Sequence, residues 1–107
     1  MISFEDFQKL DMRIGKVISA EKIPNSDKLL KFIFDIGGEQ RQILAGIAEF
    51  YPDPSILVGK EIPLLLNIEP RTFRGQISDG MIIAADLDGK PVMLFPEKEI
   101  PPGSKIK

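Results

Sequence analysis

Two arginines flank a Thr-Phe pair in the segment IEPRTFRGQISDGM, residues 68–81. The guanidinium groups of Arg71 and Arg74 can bind a phosphate through paired hydrogen bonds or stack on a nucleobase, and Phe73 can add an aromatic stacking surface. Glycines and a Ser-Asp-Gly turn signal around them indicate an exposed loop, the kind of element that often carries binding groups. This spacing predicts a local site for an anion or a nucleic acid.

Three further cations lie near the ends of two predicted strands. Lys28 and Lys31 bracket the start of one strand, and Arg41 begins the next, beyond a Gly-Gly turn. A hairpin would place these cations on neighbouring strands and on one face of a sheet. Each of them can equally be a solubilising surface charge, and Phe73 can equally close the mouth of a barrel. The cations support an anion site without identifying its ligand.

Groups that perform catalysis are scarce in this chain. It contains no cysteine and no histidine, which excludes thiolate nucleophiles, zinc–thiolate sites and Ser/His/Asp triads. Carboxylate pairs, Asp27 with Asp35 or Asp86 with Asp88, offer acid–base chemistry or magnesium ligands, but turns and solvent-facing strand positions explain them more simply. No glycine-rich phosphate-binding motif is present. We expect a protein that is not an enzyme and binds no cofactor or metal.

The overall charge is unfavourable for binding a polyanion. The 107 residues include 14 Lys and Arg against 16 Asp and Glu, a net charge of -2, so a nucleic-acid site must be local. This length suits one domain with one modest core, covering residues 1–107. The apolar runs are too short to span a membrane, and the first residues lack the features of a secretion signal. We expect a soluble, cytoplasmic protein.

Elements in the first half of the chain follow from its hydrophobic pattern. SFEDFQKL has a capping box formed by Ser3 and Asp6, which predicts a short N-terminal helix. MRIGKVISAEKI predicts a long first strand in which Gly15 permits a bulge or sharp coiling. Alternate apolar residues from Leu30 to Ile36 predict a second strand with one buried face. The glycine pair that follows predicts a hairpin with EQRQILAGI.

The second half predicts a loop, another strand and another hairpin. AEFYPDPSILVGK contains two prolines and a glycine, so we expect a connecting loop with room for one helical turn. In EIPLLLNI, Pro63 favours an edge or strand-start position. GMIIAADL and PVMLF flank Asp88-Gly89, a strong hairpin signal. Five or more short strands predict a small closed barrel or a sandwich, a set that includes the oligonucleotide-binding barrels.

Six ordered segments, which together span essentially the whole chain, resemble the tRNA-binding domain family: DMRIGKV, NSDKLLKF, ILAGI, VGK, NIEPRTFRGQISDGM and PPGSKIK. This family includes the C-terminal domain or detached beta subunit of methionyl-tRNA synthetase, free-standing dimeric tRNA-binding proteins and the domain of endothelial monocyte-activating polypeptide. The resemblance implies an all-β, five-stranded oligonucleotide-binding (OB) barrel with a short N-terminal helix and peripheral strands. It also implies structure-specific binding near the tRNA elbow, without catalysis.

The resemblance assigns roles to individual residues and shows departures from the family pattern. Thr72 and Phe73 stand where the family usually has Lys-Met, and Glu69 stands where a lysine is often found, so this chain has fewer cations. Seven predicted tRNA-binding residues match the family motifs: Lys28, Lys31, Asn67, Arg71, Arg74, Ser78 and Met81. Reasoning from the residues alone adds the cation Arg41 and the aromatic Phe73.

The implied partners are tRNA, a second copy of the chain in a homodimer, and a methionyl-tRNA synthetase catalytic subunit, with no membrane partner. The N-terminal ISFEDF segment and the C-terminal tail are the candidates for the dimer interface, because neither is needed to close a barrel. The start at Met1 favours a free-standing chain over a detached subunit or an excised domain, and the sequence does not say which tRNA is bound.

Two alternatives remain open. A paralogous branch of the family resembles a dimeric secretion chaperone, in which an apolar groove binds unfolded peptide, and here Phe50, Tyr51, Met93 and Phe95 could line such a groove. The other alternative is an assembly protein that only dimerises a larger partner. Retention of the lysine pair and of SDGM favours RNA over peptide.

Overall fold

Three small sheets and one short helix make up the computed structural model, which describes residues 1–107. The main sheet has five antiparallel strands in the order β3-β2-β1-β4-β7, and the pairs β5-β6 and β8-β9 form two separate hairpins. The elements are α1 (Phe4–Gln8), β1 (Met12–Lys22), β2 (Leu30–Asp35), β3 (Gln40–Ala45), 3-10 turns at Ala48–Phe50 and Pro54–Leu57, β4 (Glu61–Leu65), β5 (Arg71–Phe73), β6 (Gln76–Ser78), β7 (Met81–Ile82), β8 (Ala84–Leu87) and β9 (Lys90–Met93). The predicted all-β, OB-like fold with an N-terminal helix is confirmed.

Strand β1 curls the sheet because it pairs with different strands along its length. Its first part, Met12–Lys16, pairs with β4, and its second part pairs with β2, with a register shift at Ile18. The irregularity is at Ile18 and not at Gly15. A side chain on Gly15 would overlap with Leu64 and approach the Phe34 ring, so this glycine allows close packing at the bend.

The core lies against the concave face of this sheet. The predicted alternation in β2 is confirmed, because Leu30, Phe32, Phe34 and Ile36 are at most 2% exposed. The two phenylalanine rings stack with their centroids 5.5 Å apart. Burying each such side chain contributes roughly 1.5–3 kcal/mol, so β2 anchors a rigid scaffold for the elements around it.

Pro63 departs from its predicted edge or strand-start position. It is the third residue of β4, which has β1 on one side and β7 on the other. The opposite residue, Ile14, directs its N–H and carbonyl to Ser104 and Gly103 of the C-terminal tail, so it needs no partner on Pro63. The position of the missing N–H of Pro63 therefore faces β7 and not β1. The pairing with β7 covers only Leu64 and Leu65, so no ladder bond needs this N–H, and the Pro63 carbonyl accepts from the Ile83 N–H.

Two further predictions from local sequence signals are confirmed, the N-terminal helix α1 and the turn between β8 and β9. The capping box of α1 is present: the Ser3 hydroxyl accepts from the Asp6 N–H, and the Asp6 carboxylate accepts from the Ser3 N–H. These bonds and Lys9 lower the pKa of Asp6. Asp88 and Gly89 have φ of 51° and 84°, as the two-residue turn between β8 and β9 requires.

The structure contains no helix with the length and apolar character needed to span a membrane.

Candidate nucleic-acid interface

A β-hairpin, and not an open loop, carries the two arginines. Strands β5 and β6 are joined by the two-residue turn Arg74-Gly75, where φ is 52° and 77°. Because side chains alternate along a strand, Arg71 and Phe73 share one face of the hairpin and Thr72 lies on the other. The sequence did not reveal this hairpin, since its strands have three residues each and Arg-Gly is a rare turn pair.

Side-chain hydrogen bonds hold this hairpin against β3. The Ser78 hydroxyl accepts from the buried Leu44 N–H at 3.0 Å and donates to the Gly80 carbonyl at 3.2 Å. The Gln42 side-chain amide donates to the Ile77 carbonyl at 2.9 Å. Ser78 is 4% exposed and its hydroxyl is fully used, so its local role is to fix the base of the hairpin.

Exposed cations without an acidic partner lie on the hairpin and beside its turn. The Arg71 guanidinium lies 4.7 Å from the centroid of the Phe73 ring. Lys28, from the loop before β2, lines a cavity of about 400 Å³ together with Phe73, Arg74 and Asp27. Lys28, Arg71 and Arg74 are all exposed and form no salt bridge. The fold thus brings together cations that are more than 40 residues apart in the sequence.

An apolar cavity of about 360 Å³ adjoins this cationic one. Arg71 is its one charged lining residue, and Phe73 and the half-exposed Met81 form part of its wall. The two cavities share Phe73 and also Leu29 and Gly46. No sequence signal indicated this cavity, because its walls come from β3, β5, β7, β8, β9 and the loops between them.

Two predicted cations already have anionic neighbours. The Lys31 ammonium lies 3.1 Å from the Glu21 carboxylate on β1. The Arg41 guanidinium donates to the Leu66 carbonyl at 2.6 Å and lies 3.8 Å from the Asp79 carboxylate. The side chains of both cations are less than a third exposed. Their charge is therefore partly compensated within the protein, in contrast to that of Lys28, Arg71 and Arg74.

Asn67 links the N-terminal segment to the sheet. Its amide oxygen accepts from the Asp11 N–H at 2.8 Å, and its amide nitrogen donates to the Lys9 carbonyl at 2.7 Å. The side chain thus bonds to the backbone on both sides of Leu10, next to the end of α1. This asparagine is exposed but occupied, so its observed contacts are structural.

One member of each carboxylate pair considered for catalysis has a local hydrogen-bond partner. The Asp35 carboxylate accepts from the Gly37 N–H at 2.9 Å, and the Asp86 carboxylate accepts from the Gly89 N–H at 2.6 Å. Both stabilise hairpin turns. No three His, Cys, Asp or Glu residues are grouped so that they could hold a metal ion.

Comparison with known proteins decides the family. Residues 12–105 match the family described as "Putative tRNA binding domain". The chain belongs to this tRNA-binding family. This confirms the family that the sequence segments indicated, and with it the functional class of a tRNA-binding domain of the kind found in methionyl-tRNA synthetases.

The similar curated proteins are much longer than this tRNA-binding domain. It is 57% identical to a methionine–tRNA ligase of Archaeoglobus fulgidus over 105 residues, which cover 98% of the chain and 16% of the ligase. It is 48% identical to the methionine–tRNA ligase of Parabacteroides distasonis over 107 residues, 99% of the chain and again 16% of the relative. The domain therefore spans about a sixth of the length of these ligases.

Solved structures place the domain beside both RNA-related and chaperone-related proteins. A MetRS related protein from Pyrococcus horikoshii superposes with a TM-score of 0.94 at 37% identity, covering 100% of this chain and 98% of that one. The chaperone CsaA from Bacillus anthracis superposes with a TM-score of 0.88 at 34% identity, covering 100% and 99%. The same fold therefore occurs in a MetRS related protein and in a chaperone.

Proposed function

We propose that this chain is a single, non-catalytic domain that binds folded tRNA near its elbow. The observation that carries this proposal is the cluster of Lys28, Arg71 and Arg74, three exposed cations without salt bridges on a protein of net charge -2. An unpaired cation cluster is a ready site for phosphates. Membership of the tRNA-binding family supports RNA as the source of those phosphates.

Binding by shape suits this surface. A-form RNA presents a deep, narrow major groove that side chains cannot read, so proteins contact its phosphates and its shape. The hairpin offers guanidiniums at fixed positions, because Ser78 and Gln42 hold its base against β3. We infer that the domain recognises the arrangement of phosphates and not a sequence of bases.

We assign different roles to the predicted site residues. The exposed group at the hairpin and its cavities contacts the RNA directly, and two hydrogen-bonded residues position the surface. Lys31 and Arg41 contribute less, because nearby carboxylates already compensate their charge. The direct contacts are Lys28, Arg71, Phe73, Arg74 and Met81, and the positioning residues are Asn67 and Ser78.

A homodimer would present this surface twice. The apolar side chains of Ile2 and Phe4 are more than 70% exposed, and a cavity of about 310 Å³ lies between α1 and the tail residue Ile106. Exposed apolar surface of this kind is typical of protein interfaces. We propose that two copies pair through α1 and the C-terminal tail about a two-fold axis, which doubles the number of tRNA-binding surfaces.

In a cytoplasmic complex with a methionyl-tRNA synthetase catalytic subunit, such a domain would raise the local concentration of tRNA. A tethered second site increases apparent affinity without new catalytic contacts. The similarity to a segment of methionine–tRNA ligases supports this role.

The alternative of a peptide-binding chaperone is supported by the apolar cavity beside Phe73 and by the similarity to a chaperone of known structure. The side chains that sequence analysis named for a peptide groove do not share a cavity. Met93 lines the apolar cavity, and Phe50 lines a neighbouring cavity that shares Gly46, Ile47 and Pro91 with it. Phe95 lines a third cavity that shares no residue with the apolar one. Tyr51 packs against the core.

Fluorescence anisotropy of labelled, unfractionated tRNA tests the proposal, with aggregation of a denatured client protein measured in parallel. We expect tRNA binding at low salt that weakens in Arg71→Ala and is unchanged in Lys98→Ala. Lys98 is an exposed cation in a cavity that shares no residue with those at the hairpin, so it controls for loss of charge alone. Suppressed aggregation without tRNA binding would indicate a peptide-binding chaperone. If the domain shows neither activity, only a role in assembly is left.

A further inference from the structure

Two cavities of different character meet at the Phe73 ring. One is apolar, about 360 Å³, and the other is cationic, about 400 Å³. We propose, on the basis of the proposed tRNA binding, that this double cavity binds one unpaired nucleotide of the RNA, with its base in the apolar cavity and its phosphate in the cationic one.

The apolar cavity has the size and lining expected for a base. Its volume lies within the roughly 300–1,000 Å³ typical of small-ligand sites. Arg71 lies over the Phe73 ring on this side, so an entering base would meet a planar guanidinium and apolar side chains. Both surfaces favour stacking of a planar aromatic ring. A base within a duplex cannot enter, because its faces and its pairing edge are already covered.

The cationic cavity has the charge expected for the phosphate. Lys28 and Arg74 line it, and neither has an acidic partner. Arg74 has a φ of 52°, a conformation that costs an arginine energy and concentrates at ligand-binding positions. Asp27 also lines this cavity and would oppose a phosphate there. Because the two cavities share Phe73, Leu29 and Gly46, adjacent parts of one nucleotide can occupy both.

The charge of the site favours a nucleotide over an apolar peptide. An apolar side chain would gain from the first cavity alone and would leave the neighbouring cations without a role. A nucleotide combines a planar base with an adjacent phosphate. The base suits the apolar cavity, and the phosphate suits the cationic cavity next to it. The candidate positions in tRNA are therefore bases that are not paired or stacked in a helix.

Two RNA hairpins of identical stem sequence test this inference, one with a single bulged adenosine and one fully paired. Anisotropy should show tighter binding of the bulged hairpin by roughly 5- to 150-fold, the range that stacking of one base on an aromatic side chain contributes. The protein should also protect the bulged adenosine from methylation by dimethyl sulfate. Asp27→Asn should tighten binding of the bulged hairpin, because it removes the one anion lining the phosphate cavity.

Variants of the cavity wall separate stacking from charge. Phe73→Leu keeps every charge and should reduce the ratio of the affinities for the bulged and the paired hairpin to near one. Met81→Gln, at a half-exposed wall position, is a second variant that should also reduce this preference, and it leaves the net charge unchanged. Neither residue belongs to the buried core cluster, and unfolding curves would verify that both variants fold.

Each result bears on the inference separately from tRNA binding. Equal binding of both hairpins, with binding still weakened by Arg71→Ala, would overturn the nucleotide site and leave the tRNA-binding proposal intact. No binding of either hairpin or of tRNA would overturn both. An apolar hexapeptide that binds the wild type but not Phe73→Leu, with equal binding of the two hairpins, would assign the cavity to peptide.

Discussion

Replacing Arg74 by asparagine should change RNA affinity and protein stability in opposite directions. Arg74 is the first residue of a two-residue turn with φ of 52°, followed by Gly75 at 77°. Asn-Gly is the preferred sequence for such a turn, because asparagine tolerates the left-handed conformation. Since Arg74 makes no salt bridge, the substitution loses no intramolecular ion pair. We expect Arg74→Asn to stabilise the protein by about 0.5–1 kcal/mol.

The loss of affinity follows from the number of phosphate contacts. Each contact adds roughly 0.7–0.9 to the slope of log affinity against log salt concentration. Three contacts, from Lys28, Arg71 and Arg74, predict a slope of about 2 to 3 for each binding surface. Removal of one contact should lower the slope by just under one and weaken binding roughly 5- to 8-fold at 0.1 M salt, with almost no effect near 1 M.

Anisotropy across a salt series and thermal unfolding of the same preparations measure both quantities. A higher melting temperature together with weaker, less salt-dependent binding cannot arise from partial unfolding. Lys98→Asn serves as the matched control, since it removes one exposed cation outside the hairpin. Weaker binding with an unchanged slope would refute the phosphate contact of Arg74, and an equal loss in the control would show that only net charge matters.

Two substitutions test how the surface is held in place, and one deletion tests the proposed dimer. Ser78→Ala should leave the buried Leu44 N–H without its acceptor, lower the unfolding free energy by roughly 1–3 kcal/mol in urea titrations and weaken tRNA binding. Asn67→Ala should accelerate hydrogen exchange at the Asp11 amide, measured by NMR, and weaken tRNA binding less than Ser78→Ala does, because its two bonds hold the N-terminal segment and not the hairpin. Deletion of residues 1–6 should convert the proposed dimer to a monomer in light scattering, and an unchanged mass would exclude α1 from the interface.

Patterns that span one element were sufficient to predict much of the fold. The burial of alternate residues in β2 depends on a period that the sequence shows directly. The Ser3–Asp6 capping box and the Asp88-Gly89 turn are decided by hydrogen bonds and φ preferences within four residues. Such features need no knowledge of the rest of the chain.

Features that depend on distant partners were not predictable. Pro63 is tolerated in mid-strand because the C-terminal tail satisfies Ile14, a fact that no local pattern carries. The β5–β6 hairpin has too few residues to show alternation, and its pairing is supported by Gln42 from β3. The predicted cations were identified singly, but only the folded chain shows which of them have an acidic partner, such as the carboxylate beside Lys31.

The way in which the β5–β6 hairpin is attached has an evolutionary consequence. It joins the barrel through a few side-chain bonds from Gln42 and Ser78 and contributes no strand to the five-stranded sheet. Insertions and new residues at the turn, Arg74-Gly75, would therefore leave the core unaffected as long as Ser78 remains to accept from the Leu44 N–H. A lineage can change the tip of the hairpin in this way and acquire a new ligand without passing through an unstable intermediate.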